Sequence, residues 1–144
     1  MRYVFPARLK THEGETVVSF RDLPEALTSG TTRENALAEA VDILDAALLF
    51  RLKEGSDIPE PSPPRRSEVG IAASPGVAAK IAFARAFRDS GMSRVALAKR
   101  LGTSETEIRR MLDPGHATKI DRLNAALRAL GRRLVLGDEE ADAA

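Results

Sequence analysis

Cysteine and tryptophan are absent from the 144-residue chain, and histidine occurs only twice. Without cysteine there is no disulfide framework, no thiolate zinc site and no cysteine nucleophile. His12 and His116 stand far apart and fall in expected loops, so they read as surface residues, and no metal or other cofactor is expected. No apolar run approaches the roughly 20 residues of a membrane span. The opening MRYVFPARL also lacks the apolar core and small-residue cleavage site of a secretion signal. The expectation is a soluble, cytoplasmic protein with no membrane partner. Aromatic residues make up only 4% of the chain, which leaves Leu, Val, Ile and Ala to build its core. Small cores of that kind are marginal alone, and oligomerisation would remedy this.

A large net charge is lacking too: 22 basic residues face 21 acidic ones, for a net of +1. That balance hides a division. Residues 1–74 carry a net −3, residues 75–137 a net +8, and the acidic tail 138–144 a net −4. A weakly acidic half joined to a strongly basic one points to two tasks, with nucleic acid the usual partner of the basic half.

Residues 2–9 and 16–20 are short, β-prone segments separated by a Gly14-containing connection, which predicts a hairpin. Pro6 cannot donate to a strand ladder, so the first strand is expected at an edge or beside a bulge. A third short strand is expected over 25–29. Thr31-Thr32-Arg33-Glu34 has the form of a capping box with Thr31 as N-cap. Behind it Leu37, Ala40, Val41, Leu44, Ala47, Leu48 and Leu52 recur at helical spacing up to Gly55. Residues 56–66 hold four prolines and read as a stiff extended connector. A fourth strand over 67–73 would return to the sheet. From Pro75 onward the pattern is helical, over 77–89, 93–101, 104–112 and about 119–130, with RRLVL (132–136) as a β-prone tail. The fold class is therefore α+β: a small ββ(β)αβ domain over 1–74, then an all-α domain over 75–137.

The segment SRVALAKRLGTSETEIRRML (93–112) carries the most specific pattern. Two helices that press together around a tight turn need apolar contacts, one very small residue where the backbones approach, and a glycine at the turn. Leu97, Leu101, Ile108 and Met111 supply the first, Ala98 the second and Gly102 the third. Thr103 stands where an apolar residue is usual. The spacing resembles the Xre/Cro-type helix-turn-helix. On that resemblance Ser104, Glu105, Thr106, Arg109 and Arg110 would meet DNA base edges, with an arginine on guanine and Glu105 on a cytosine amino group. Arg94, Lys99, Arg100 and Lys119 would sit on phosphates.

The first half has a resemblance of its own. Phe20, Asp22, Leu23, Pro24, Thr28, Gly30, Thr31, Glu34 and Ala36 follow the core motif of the HicB antitoxin family. The opening strand MRYVFPA and the connector IPEPSP are similar to that family's as well, and the order of parts matches its longer subgroup, which ends in a helix-turn-helix. The resemblance implies a partial RNase H-like domain without catalysis. It also implies a HicA-like mRNA interferase toxin as partner, operator DNA as the second partner, and repression of the pair's own operon. An inhibitor of a basic ribonuclease site gains from acidic groups, so Glu13, Glu15, Asp22 and Glu25 are the candidate toxin contacts.

Two other readings fit parts of the sequence. A plain helix-turn-helix regulator would use the first domain to dimerise or to sense a ligand, but a sheet with one helix offers little pocket volume. A two-metal nuclease would need clustered carboxylates; Asp22, Glu25, Asp42 and Asp45 are the available ones, and their spacing suits turns and solvated faces equally well. No enzyme is expected. Because one helix-turn-helix makes few contacts, a homodimer or tetramer is expected, through the tail 132–136 or the sheet edges.

Overall fold

The computed structural model describes residues 1–141; the end of the acidic tail, residues 142–144, lies outside them. Four strands form one antiparallel sheet: β1 (Val4–His12), β2 (Glu15–Phe20), β3 (Leu27–Gly30) and β4 (Glu68–Ala72), in the order β3-β2-β1-β4. Among the described residues five helices follow the chain: α1 (Arg33–Glu54), α2 (Pro75–Ser90), α3 (Arg94–Leu101), α4 (Glu105–Leu112) and α5 (Ile120–Ala129). The mixed α+β class expected from the sequence is what folds.

The β1–β2 connection is tighter than expected, because His12 pairs with Glu15 and only Glu13 and Gly14 turn the chain. Both have positive φ, 50° and 78°, which matches the right-handed twist of the flanking strands. The loop placement of His12 is thereby corrected: it ends β1, with Glu13 Oε1 3.8 Å from its Nε2.

Pro6 is a second correction, since β1 lies inside the sheet rather than at its edge. The Ala73 N–H donates to the Tyr3 carbonyl. Alternation along the ladder then puts Pro6, opposite Gly70, at a non-hydrogen-bonded position toward β4. Its nitrogen faces the β2 side, where pairing starts one residue later, at Ala7–Phe20. The strand is an edge locally at the one residue that needs it to be.

α1 lies across the sheet and buries Ala36, Ala40, Leu44, Ala47 and Leu48 against Phe5, Ala7, Val18, Phe20 and Ile71. Its N-cap is Thr32, whose side chain accepts from the Asn35 N–H at 3.0 Å, while Thr31 accepts from the Asn35 amide. The expected cap was one residue early. At Gly30 the start of α1 closely approaches the sheet: a Cβ there would lie 2.5 Å from the Ala36 nitrogen.

Two carboxylates fix the path of the chain beyond α1. Asp22 accepts from both the N–H and the hydroxyl of Ser62, each at 2.7 Å, pinning the proline connector. Asp45 accepts from the N–H and hydroxyl of Ser74, at 2.9 and 2.5 Å, and so holds the start of α2 against α1. α2 then serves two cores. Ile81 belongs with the sheet, whereas Ala79, Phe83 and Ala86 pack with α3, α4 and α5. The boundary expected between residues 74 and 75 therefore falls at the first turn of a shared helix. The tail from Arg132 has no regular secondary structure and pairs with no strand among the described residues, which corrects the expected β segment. Its Leu134 packs on the helical core, while Val135 and Leu136 are more than four-fifths exposed.

Candidate nucleic-acid interface

α3 and α4 are short helices whose ends are closed locally. Ser93 caps α3 through the Ala96 N–H, and Ser104 caps α4 through the Glu107 N–H. Gly102, at φ +66°, ends α3 in the left-handed region that glycine adopts without strain, and the Thr103 N–H returns to the Ala98 carbonyl at 2.9 Å. Leu97, Ala98, Ile108 and Met111 are buried together with Phe83 of α2 and Leu123, Ala126 and Leu127 of α5. Leu101 is half-buried against the same core. Every apolar position singled out in this segment thus lies in or against one core.

The residues expected to meet bases share the opposite side. Ser104, Thr106, Arg109 and Arg110 are exposed, with Glu105 partly so. Glu105 stands between two arginines, Arg94 at 3.4 Å and Arg109 at 3.3 Å. Glu107 repeats the arrangement, with Arg110 at 2.8 Å and Arg122 of α5 at 3.0 Å. Of the residues expected on phosphates, Lys99 and Lys119 are exposed, whereas Arg100 donates to the Ala129 carbonyl at the end of α5. The surface carries four arginines held by two glutamates.

Sequence reasoning passed over Glu107, Arg122 and Lys80. Glu107 was legible in part, because it stands three residues after the capping serine, where a capping box places an acid. Lys80 had only one signal, a lysine in the apolar run 77–84. It is 4% exposed, and its ammonium donates to the carbonyls of Arg110 (3.3 Å) and Met111 (2.9 Å) and to the Thr118 hydroxyl (3.2 Å). A cation thus closes the C-terminal end of α4, where the helix dipole favours one. Burial lowers the Lys80 pKa, and Asp113 opposes that shift.

The four acidic candidates of the first half split between the two ends of the sheet. Glu13 lies in the β1–β2 turn and Glu15 just after it, where Glu15 accepts from the Ser29 hydroxyl at 2.6 Å. At the other end, Asp22 is occupied by Ser62, and Glu25 pairs with Arg51, whose guanidinium holds that carboxyl below its ordinary value. Of the four carboxylates considered for metal chemistry, Asp22, Glu25 and Asp45 are each engaged in these contacts, and Asp42 is exposed on α1. No group of three or more histidine or acidic residues is placed to hold a metal among those described. No described helix is long and apolar enough to cross a membrane.

A four-stranded sheet under one long helix, running from its last strand directly into a basic set of helices, defines a small α+β protein with two hydrophobic cores. Residues 4–82 match the HicB-like antitoxin family of bacterial toxin–antitoxin systems. The chain is 41% identical over 140 residues to antitoxin HicB 1 of Photorhabdus laumondii, covering 96% of this chain and 88% of that protein. It is 40% identical over 124 residues to antitoxin HicB of Escherichia coli K12, covering 86% and 90% respectively. Antitoxin HicB of Pseudomonas fluorescens Pf0-1 is 32% identical over 141 residues, 96% of this chain and 97% of that one. The chain belongs to the HicB-like antitoxin family, and by homology it is the antitoxin of a toxin–antitoxin pair. The relatives align well beyond residue 82, so the likeness takes in the short helices as well.

Proposed function

We propose that this antitoxin has two binding surfaces and no catalytic one. The sheet and α1, a partial RNase H-like domain over 1–74, bind a HicA-like mRNA interferase and mask its RNA-binding face. The helices of 75–137, with α3 and α4 as a helix-turn-helix, bind operator DNA and repress the pair's own operon. The observation that carries this reading is the α3–α4 unit itself: a glycine turn, a buried Leu97–Ala98–Ile108–Met111 contact, and an arginine-rich outer face in a segment of net +8. Glu13 and Glu15 at the exposed hairpin tip are the better-placed acidic contacts for a basic toxin, because Asp22 is spent on the connector and Glu25 on the Arg51 guanidinium, whereas Glu15 meets only the Ser29 hydroxyl. Val135 and Leu136 on the tail support self-association to a dimer or tetramer, which would give the two recognition helices that a palindromic site needs. A cytoplasmic location follows from these partners.

The experiment has two arms. Co-expression with a HicA-like toxin should restore the growth that the toxin alone arrests, and the two should co-purify. Arg109→Ala with Arg110→Ala should abolish retardation of the DNA upstream of the operon while leaving growth rescue intact. Loss of both activities together, or of neither, would contradict a division of labour between the two surfaces.

A further inference from the structure

Glu105 and Glu107 pose a problem for a helix offered to DNA, because they bring carboxylates to a polyanion. Each sits between two guanidiniums, and the four arginines so engaged, Arg94, Arg109, Arg110 and Arg122, are all about half-exposed or more. Glu107 is the more enclosed of the pair, at 24% side-chain exposure against 39% for Glu105. It joins α4 to α5 through Arg122, whereas Glu105 joins α4 to α3 through Arg94.

Resting on the DNA-binding reading above, we propose that Glu105 and Glu107 determine specificity by penalising unrelated DNA. A duplex of arbitrary sequence offers these arginines phosphates. To use them, the arginines must leave the glutamates, and two carboxylates are then left facing phosphate oxygens, a like-charge arrangement that disfavours the complex. A matching site removes part of that penalty. Glu105, in the first turn of α4, accepts a hydrogen bond from a base amino group in the major groove, the pattern by which acids select cytosine. Glu107, further inside, keeps Arg110 and Arg122 paired with itself rather than free to reach the phosphate backbone. Electrostatic attraction to phosphate is what lets a basic module bind everywhere, and the paired glutamates hold that attraction down until the sequence is right.

The test uses the full-length protein and measures affinity for two duplexes of equal length, one from upstream of its own operon and one unrelated, across a salt series. Glu105→Gln and Glu107→Gln keep side-chain size and hydrogen bonding but remove the charge. The double variant should bind unrelated DNA about tenfold or more tightly, with a salt dependence steeper by about one to two released counterions. The ratio between the two duplexes should shrink. Glu105→Ala with Glu107→Ala, which removes the same charge with a different effect on the helix, should move unrelated DNA in the same direction. Unchanged or weaker binding of unrelated DNA by folded variants overturns the proposal. Wild-type protein that binds neither duplex overturns the DNA-binding reading, and this inference with it.

Discussion

Asp45→Ala probes the polar bracket between α1 and the start of α2, which adds to the shared packing of Ile81 in joining the two halves. Asp45 accepts two hydrogen bonds from Ser74, and Ser74 is the N-cap of α2 without capping it through its own side chain. The Asp45 carboxylate therefore sits at a helix N-terminus, where negative charge is favourable by about 0.3–1 kcal/mol. A hydrogen bond to a charged acceptor contributes about 1.5–3 kcal/mol. Asp45 and Ser74 are only half-buried, so water replaces part of what is lost, and Asp45→Ala should cost about 2–3 kcal/mol in all. At about 2–4 °C per kcal/mol for a chain of this size, the melting temperature should fall by about 4–12 °C. Ser74→Ala removes only the hydroxyl bond and should cost about 1 kcal/mol. Urea unfolding followed by circular dichroism gives the two free energies and thermal unfolding the melting temperature, and the double variant should be less destabilised than the singles summed, by about 1 kcal/mol. Strict additivity, or an Asp45→Ala effect under about 0.5 kcal/mol, would refute the bracket.

Other perturbations follow from the same geometry. Gly30→Ala drives a Cβ into the α1 backbone at Ala36 and should cost about 1–3 kcal/mol or more in chemical denaturation; a neutral result would mean that α1 slides freely on the sheet. Lys80→Met leaves the last carbonyls of α4 without their donor, at about 1–3 kcal/mol. Amide exchange in α5 and at the end of α4 should quicken, and unchanged exchange would count against the role given to Lys80. The Arg21 guanidinium, at 2.9 Å, holds the Glu68 carboxyl below its ordinary 4.5. Its folded value is the lower one, so its contribution is complete above pH 4.5 and is lost as pH falls through the folded value. Glu68→Gln should be less stable than wild type at neutral pH, with the gap closing in acid; a gap independent of pH would dismiss the ion pair.

Local chemistry was readable and distant chemistry was not. The long stripe of α1, the glycine stop after it and the apolar positions of 97–111 follow from periodicity, which depends only on neighbours in sequence. Thr31 is the cap that Glu34, three residues on, points to, but in the fold the extended residue before the helix is Thr32, whose side chain takes the Asn35 N–H. Pro6 misled because local pairing, not strand order, decides whether a nitrogen needs a partner. α2 showed one apolar face, Val77, Ile81, Ala84 and Phe87, while its second, Ala79, Phe83 and Ala86, went unread because a helix serving two cores blurs its own period. The serine brackets span 40 and 29 residues, and no spacing rule reaches that far. On the candidate DNA surface, the Glu105–Arg109 and Glu107–Arg110 pairs follow from helical spacing within α4, but the pairs with Arg94 and Arg122 required α3 and α5 to be placed beside it.

The most direct test of the two-surface account is a footprint of the full-length protein on the DNA upstream of its own operon. The account predicts protection of two half-sites related by a two-fold axis and centred about 34–36 Å apart, one helical turn, with protection lost in the Arg109→Ala, Arg110→Ala variant. No protection, at protein concentrations that neutralise the toxin, would contradict it and leave an antitoxin whose basic helices serve some purpose other than reading DNA.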